Sequence, residues 1–203
     1  MKKFRFLSFL LCCMSALFVT SCLNDDDDDT GLTPAQVSQC LNAVKGNYTG
    51  EMICAKDPFK INKTEKDTIR MSWLINAVDT TVVVYDFPAE VIARGMKEGE
   101  VKDALTKAQE RDLKAKIVFY QNNPLIAFMI YPYVLEYHVS YGGTLHKLSA
   151  YFYAGPQIIG VHSTIQKQMQ MQLILAAIYL DDEKSANLLV TDSAPVFFFN
   201  SKW

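Results

Sequence analysis

The sequence predicts an α+β fold, mainly antiparallel β, closed into a barrel or a strongly curved sheet. An N-terminal helix and a short helical insertion near residues 88–110 complete it. Three observations carry this expectation. Short β-branched and aromatic runs with period-two alternation recur along the chain, separated by turn signals such as Asn122-Asn123-Pro124 and Gly142-Gly143. Helical spacing of apolar residues is clear in only two places, near residues 33–46 and 88–110. A mainly antiparallel sheet of this size must close or be covered, because open edges invite aggregation. No internal repeat stands out.

Thr33-Pro34-Ala35-Gln36 reads as a capping box with Pro at the first helical position, because Thr and Gln can each satisfy an orphan N–H. Val37, Leu41 and Val44 mark one apolar face, and Gly46 stops the helix. Residues 47–55 follow as a strand with Tyr48 at its start. Residues 68–75 form a second strand, with Ile69, Met71 and Trp73 on one face. Residues 80–87 are β-branched and aromatic, hence a third strand. Pro88 opens the helical stretch, where Val91, Ile92, Val101, Ala104, Leu105 and Ala108 recur at helical spacing. Gly95 and Gly99 divide it into two short helices with a solvated charged face. Strands return at 113–120, 125–131, 133–141 and 144–153. Residues 164–180 satisfy both periods, since Gln168, Gln170 and Gln172 alternate with Met169, Met171 and Leu173 while Ile165, Ala176 and Leu180 extend a helical face. Strand is preferred, because the apolar run continues on both faces up to the turn Asp181-Asp182-Glu183-Lys184. Residues 196–199 close the set.

With 203 residues, 50% hydrophobic and 21% charged, the chain is neither disordered nor collagen-like nor a coiled coil. The formal net charge is −2, so no excess of Lys and Arg is available to neutralise phosphates. Nucleic acid is therefore not an expected partner.

Lys2, Lys3 and Arg5 precede an apolar run over residues 6–19. That run is shorter than the about 20 residues a membrane span needs, and it fits the h-region of a signal peptide. It ends Val19-Thr20-Ser21-Cys22, which resembles a bacterial lipobox. The resemblance implies cleavage before Cys22 and acylation of Cys22 with chains such as palmitate, and several chains at one residue anchor stably. Asp25, Asp26, Asp27, Asp28 and Asp29 follow, five carboxylates that repel one another and stay extended. Directly after a lipidated Cys, this run resembles the acidic export signal of surface lipoproteins in the Bacteroidetes. The implied organisation is a signal peptide over residues 1–21, a lipidated Cys and acidic tether over 22–32, and a single β-rich domain over 33–203. The implied partner is outer-membrane lipid through Cys22, and the implied address is the cell surface. Cleavage removes three of the 20 basic residues, leaving 17 against 22 acidic ones. Without the five Asp the domain is neutral and shows no electrostatic preference for a charged partner.

The helix followed by Gly46-Asn47-Tyr48 resembles the Gly-x-Trp start of lipocalin-like barrels, with Tyr in place of Trp. More broadly, the chain is similar to small secreted Bacteroidetes lipoproteins of uncharacterised function.

For chemistry, no Gly-rich phosphate loop, zinc spacing, nucleophile elbow or paired-Cys motif is present, and no cofactor is expected. Once Cys12 and Cys13 leave with the signal and Cys22 carries lipid, only Cys40 and Cys54 can pair. Seven strand residues span about 23 Å against about 6 Å for four helical residues, so two separate buried thiols are preferred over a disulfide. A two-residue Gly142-Gly143 turn pairs Tyr141 with Thr144, which sends His138 and His146 to opposite faces and away from a shared metal. Glu136 and His138 share a polar exterior with Lys147 and Ser149, and no acid–base partner in a cleft is apparent. The same parity gathers Tyr131, Tyr133, Leu135, Tyr137, Val139 and Tyr141 on one face, with Leu148, Ala150 and Phe152. That face is either core or the wall of a pocket for a small hydrophobic or glycan ligand, with Tyr133, Tyr137 and Tyr141 as its rings. Asp67-Thr68-Ile69, Asp79-Thr80-Thr81 and Asp192-Ser193-Ala194 resemble the short O-glycosylation signal of exported Bacteroidetes proteins, making Thr68, Thr80 and Ser193 acceptor candidates. The functional expectation is a non-enzymatic surface lipoprotein acting as a ligand-binding or interaction module. The alternatives are a periplasm-facing structural or inhibitory lipoprotein using protein contacts only, and a hydrolase with an unfamiliar site.

Overall fold

The computed structural model of the protein describes residues 31–59, 65–190 and 194–202. The signal segment, Cys22, the run Asp25 to Asp29 and Ser193 lie outside the described residues.

Helix α1 (Pro34–Val44) starts as its sequence predicts: the Thr33 N–H donates to Gln36 Oε1 at 2.8 Å, and the Gln36 N–H donates to Thr33 Oγ1 at 3.3 Å. Its Cys40 and Val44 are buried. The chain then turns at Gly46 (φ +137°) into β1 (Gly46–Ala55). β2 (Lys66–Asn76) and β3 (Thr81–Phe87) follow in antiparallel register. The insertion forms two short helices, α2 (Ala89–Ala93) and α3 (Glu100–Thr106), on either side of the expected Gly95 and Gly99 break. The remaining strands are β4 (Arg111–Gln121), β5 (Ile126–Pro132), β6 (Leu135–Tyr141), β7 (Thr144–Phe152), β8 (Ile159–Ser163), β9 (Gln168–Leu180) and β10 (Val196–Lys202).

Eight of these strands close an antiparallel barrel in the order β1-β2-β3-β4-β5-β8-β9-β10, with β10 returning to β1. β9 serves two sheets. Its residues 168–174 pair with β10, whereas its residues from Leu175 to Leu180 pair with β7. The β6–β7 hairpin is therefore a flap carried by the far half of β9, outside the barrel wall. Residues Leu32–Trp203 cluster as one compact unit.

Two local expectations are corrected. The strand expected at 133–141 begins only at Leu135. Pro132 offers no N–H, and Tyr133 still donates its N–H to Lys114 O on β4 at 2.9 Å, so the chain turns away only after it. Tyr131 and Tyr133 consequently fall out of phase with Tyr137. β8 was not expected: it is five residues long and buried on both faces, so it shows no alternation to read.

The barrel interior is filled. Trp73 lies face to face with Tyr48 at 5.9 Å and edge-on to Phe199, also at 5.9 Å. Phe87 packs edge-on to Phe197 at 5.2 Å and to Phe152 at 6.1 Å, joining barrel and flap in one core. Trp73, Phe128, Phe197 and Phe199 are 0–1% exposed, which leaves no water-sized void against them. α1 closes the end where β1 starts, with the Tyr48 hydroxyl donating to Val44 O at 2.6 Å. α2 sits at the opposite end, where Arg94 just beyond it donates to Asp67 Oδ2 at 2.9 Å and to Ala55 O at 3.4 Å.

Candidate functional site

The three tyrosines of the expected ligand wall are not brought together. Tyr137 is 1% exposed, and its hydroxyl donates to Phe87 O at 3.3 Å. Burial pushes its pKa well above the usual phenolic range. Tyr133 is 51% exposed in the connection before β6. Tyr141 is half-buried at the hairpin tip, where its ring stacks on His146 at 4.1 Å. The flap's inner face is thus core: Leu135, Tyr137 and Val139 are buried with Leu148, Ala150 and Phe152.

The hairpin register is the expected one. Tyr141 pairs with Thr144, Val139 with His146 and His138 with Lys147. Gly142 (φ +57°) and Gly143 (φ +79°) supply the two left-handed positions that a two-residue turn requires. His138 and His146 accordingly part company. His146 Nδ1 lies 2.8 Å from Asp181 Oδ2, while Asp181 Oδ1 accepts the Lys147 N–H at 2.9 Å. The bond from His146 holds the Asp181 carboxyl below the usual carboxylate range. Lys147 reaches Asp182 at 2.6 Å and Glu136 at 3.6 Å, and Asp182 raises its pKa. These contacts pin the hairpin tip to the turn after β9, where Asp181 (φ +49°) and Asp182 (φ +64°) are both left-handed. Ser149, expected on the polar exterior, is buried between its register neighbours Glu136 and Tyr179.

A cleft of about 550 Å³ opens where β4 and β6 diverge, lined by Glu110, Arg111, Asp112, Val134, Leu135, Glu136 and His138. Tyr133, just before the lining residue Val134, donates its N–H to Lys114 O on β4. Asp112 is also a structural acceptor there, taking the Asp86 N–H at 3.0 Å. A second cleft, of about 480 Å³, lies between residues 96–102 and 187–190.

Of the acceptor candidates, Thr68 is exposed on the outer wall of β2 and Thr80 is half-buried in a left-handed turn position (φ +53°). The aspartates before them have structural partners. Asp67 accepts from Arg94, which holds its carboxyl low, and Asp79 accepts from Lys114 at 2.7 Å with the same effect. Cys40 and Cys54 are separate buried thiols. Burial raises both thiol pKa values, which suits inert packing groups. Among the described residues no three His, Cys, Asp or Glu side chains converge as a metal site.

The model of a family described as a domain of unknown function, DUF4840, matches residues 43–180. The chain belongs to the DUF4840 family. That match runs from the end of α1 through β9, so the DUF4840 segment contains the flap, both inserted helices and the cleft between β4 and β6, but not β10 or the 187–190 wall of the second cleft. No curated protein and no solved structure matches the chain.

Sequence reasoning did not pick out Asp181 or the β4 side of the larger cleft. Asp181 was legible only as part of a polar turn. Glu110, Arg111 and Asp112 meet β6 because β5 skips the flap to pair with β8, a long-range pairing that no local pattern carries.

Proposed function

We propose that the protein is a non-enzymatic lipoprotein of the outer-membrane surface, held by acylated Cys22 and working as an interaction module through its exterior. The observation that favours exterior contacts over carriage of an enclosed ligand is the filled barrel, with Trp73, Phe197 and Phe199 occupying its interior and helices at both ends. The lipobox-like residues Thr20, Ser21 and Cys22 and the acidic run after them support the address. Thr68 and Thr80 remain O-glycan acceptors in this reading, as sites that carry sugar and do not recognise it.

Three measurements test the proposal. Cys22→Ser should release the protein from membranes, and partition with membranes despite the change would refute the anchor. Replacing Asp25, Asp26, Asp27, Asp28 and Asp29 with Ala should keep the anchor but remove protease accessibility on intact cells. The lipophilic probe cis-parinaric acid should show no saturable uptake, and stoichiometric uptake would make the protein a carrier.

A further inference from the structure

We propose that the seam between β4 and β6 takes an extended, basic segment of a partner protein as an added strand. This rests on the interaction-module reading above and names the surface and the chemistry of its partner.

Among the described residues β6 is the last strand of its sheet, paired with β7 on one side only. In a two-residue hairpin the residues flanking the turn exchange hydrogen bonds. Tyr141 and Thr144 flank it here, so Tyr141, Val139, Tyr137 and Leu135 direct their backbone groups toward β7. Glu136, His138 and Ser140 must then direct their N–H and C=O groups away from β7, on the side where α3 packs against β6 and where Glu136 and His138 line the cleft. β4 contributes a second free edge. Its odd-numbered positions face β3, as the Ile117 N–H donating to Thr80 O at 3.0 Å shows. Its even-numbered positions face β5, as Lys114 O accepting from Tyr133 shows. β5 ends at Pro132, so the next even position, Asp112, turns its backbone groups into the cleft. Two edges that pair with no other strand there among the described residues thus line one space of about 550 Å³, with buried Leu135 and exposed Val134 on its wall. Strand addition to such an edge gives affinity through main-chain hydrogen bonds, while side chains set the choice of partner.

The charges make that choice. Glu110, Asp112 and Glu136 line the cleft against one guanidinium, that of Arg111. The nearby Lys147 is held by Asp182 at 2.6 Å and stands 3.6 Å from Glu136. An entering strand with Lys or Arg at alternate positions meets this excess of carboxylates favourably. A second copy of the chain would set the same excess against itself, which argues against self-pairing at this edge.

The test is a peptide alternating Lys and Val, titrated into the folded domain and followed by amide chemical shifts. Saturable shifts are expected at Asp112, Glu136, His138 and Ser140. N-methylation of the peptide amides that face β6 should abolish them. Glu110→Lys with Glu136→Lys should weaken binding by about tenfold or more. His138→Pro, which removes one donor from the open edge, should also weaken it. Equal binding by a peptide alternating Glu and Val, full binding by the N-methylated peptide, or no shifts along β6 would each overturn the proposal. Uptake of cis-parinaric acid by the barrel would defeat the exterior-module reading separately. A peptide that fails while the probe stays out defeats the seam alone.

Discussion

Gly160 is a position where one absent methyl group sets the packing of the barrel. A Cβ there would lie 2.2 Å from the ring of Phe128, its fully buried register partner on β5. Gly160→Ala is therefore expected to destabilise the fold by about 1–3 kcal/mol through overpacking. The denaturation midpoint should fall at unchanged slope. Phe128→Leu in the same chain should recover part of that loss, since the two sites touch; identical penalties in both backgrounds would contradict the clash. Two residues along, His162 is 2% exposed, and burial lowers its pKa from the ordinary value near 6.5. Below that value the unfolded chain takes up a proton that the folded chain refuses, so stability must fall as pH drops through about 6.5 toward the lowered folded value. The carboxyls of Asp67, Asp79 and Asp181 are also lowered, but their contribution is lost only below about pH 4, which keeps the two effects apart. A thermal melting point that does not move between neutral pH and pH about 5 would contradict the His162 assignment.

At the scale of elements, the flap hairpin is held at its tip by two carboxylates of the turn after β9, Asp182 on the Lys147 ammonium and Asp181 on two further groups. Asp181 accepts from the Lys147 amide and meets His146, and the Asp181 N–H donates to Lys147 O at 2.8 Å. Asp181→Ala keeps that last bond but removes the two side-chain contacts and a residue tolerant of the left-handed position. Amide exchange at the tip of β6 and β7 should then speed by about tenfold or more, with amides of β1 and β2 unchanged. Uniform acceleration across the barrel would instead make the flap part of the global unfolding unit. The register of this hairpin was legible because Gly142-Gly143 fixes parity, and parity fixed which residues face inward. The capping box at Thr33 was legible for the same local reason. β8 was not, since a short strand buried on both faces carries no period. The cleft between β4 and β6 was half legible: the open edge of β6 follows from the turn, whereas β4 reaches it only through the long-range closure of β5 with β8.

At the scale of the whole molecule, alternation along the strands pointed to a barrel but could not tell a filled one from a hollow one. Ring-rich cores and ring-rich pockets share one pattern, and only the meeting of Tyr48, Trp73, Phe87, Phe197 and Phe199 from four different strands decides between them. Trp73 is the largest side chain in that meeting. It is fully buried, and its Nε1–H has no hydrogen-bond partner among the described residues, so packing rather than polarity holds it in place. Trp73→Ala should cost about 3–5 kcal/mol if the wall holds its shape, because neighbouring strands relax only in part around the hole. The hole would be apolar and of indole shape, shielded by α1 at one end and α2 at the other. Apolar cavities of this kind stay dry and accept a matching apolar guest. Added indole should therefore raise the melting temperature of the variant and leave that of the parent protein unchanged, because the parent has no space to offer. Stabilisation of the parent by indole would mean that its barrel already holds a ligand-sized cavity. A variant that loses stability yet ignores indole would mean that the barrel collapses when its largest side chain is removed.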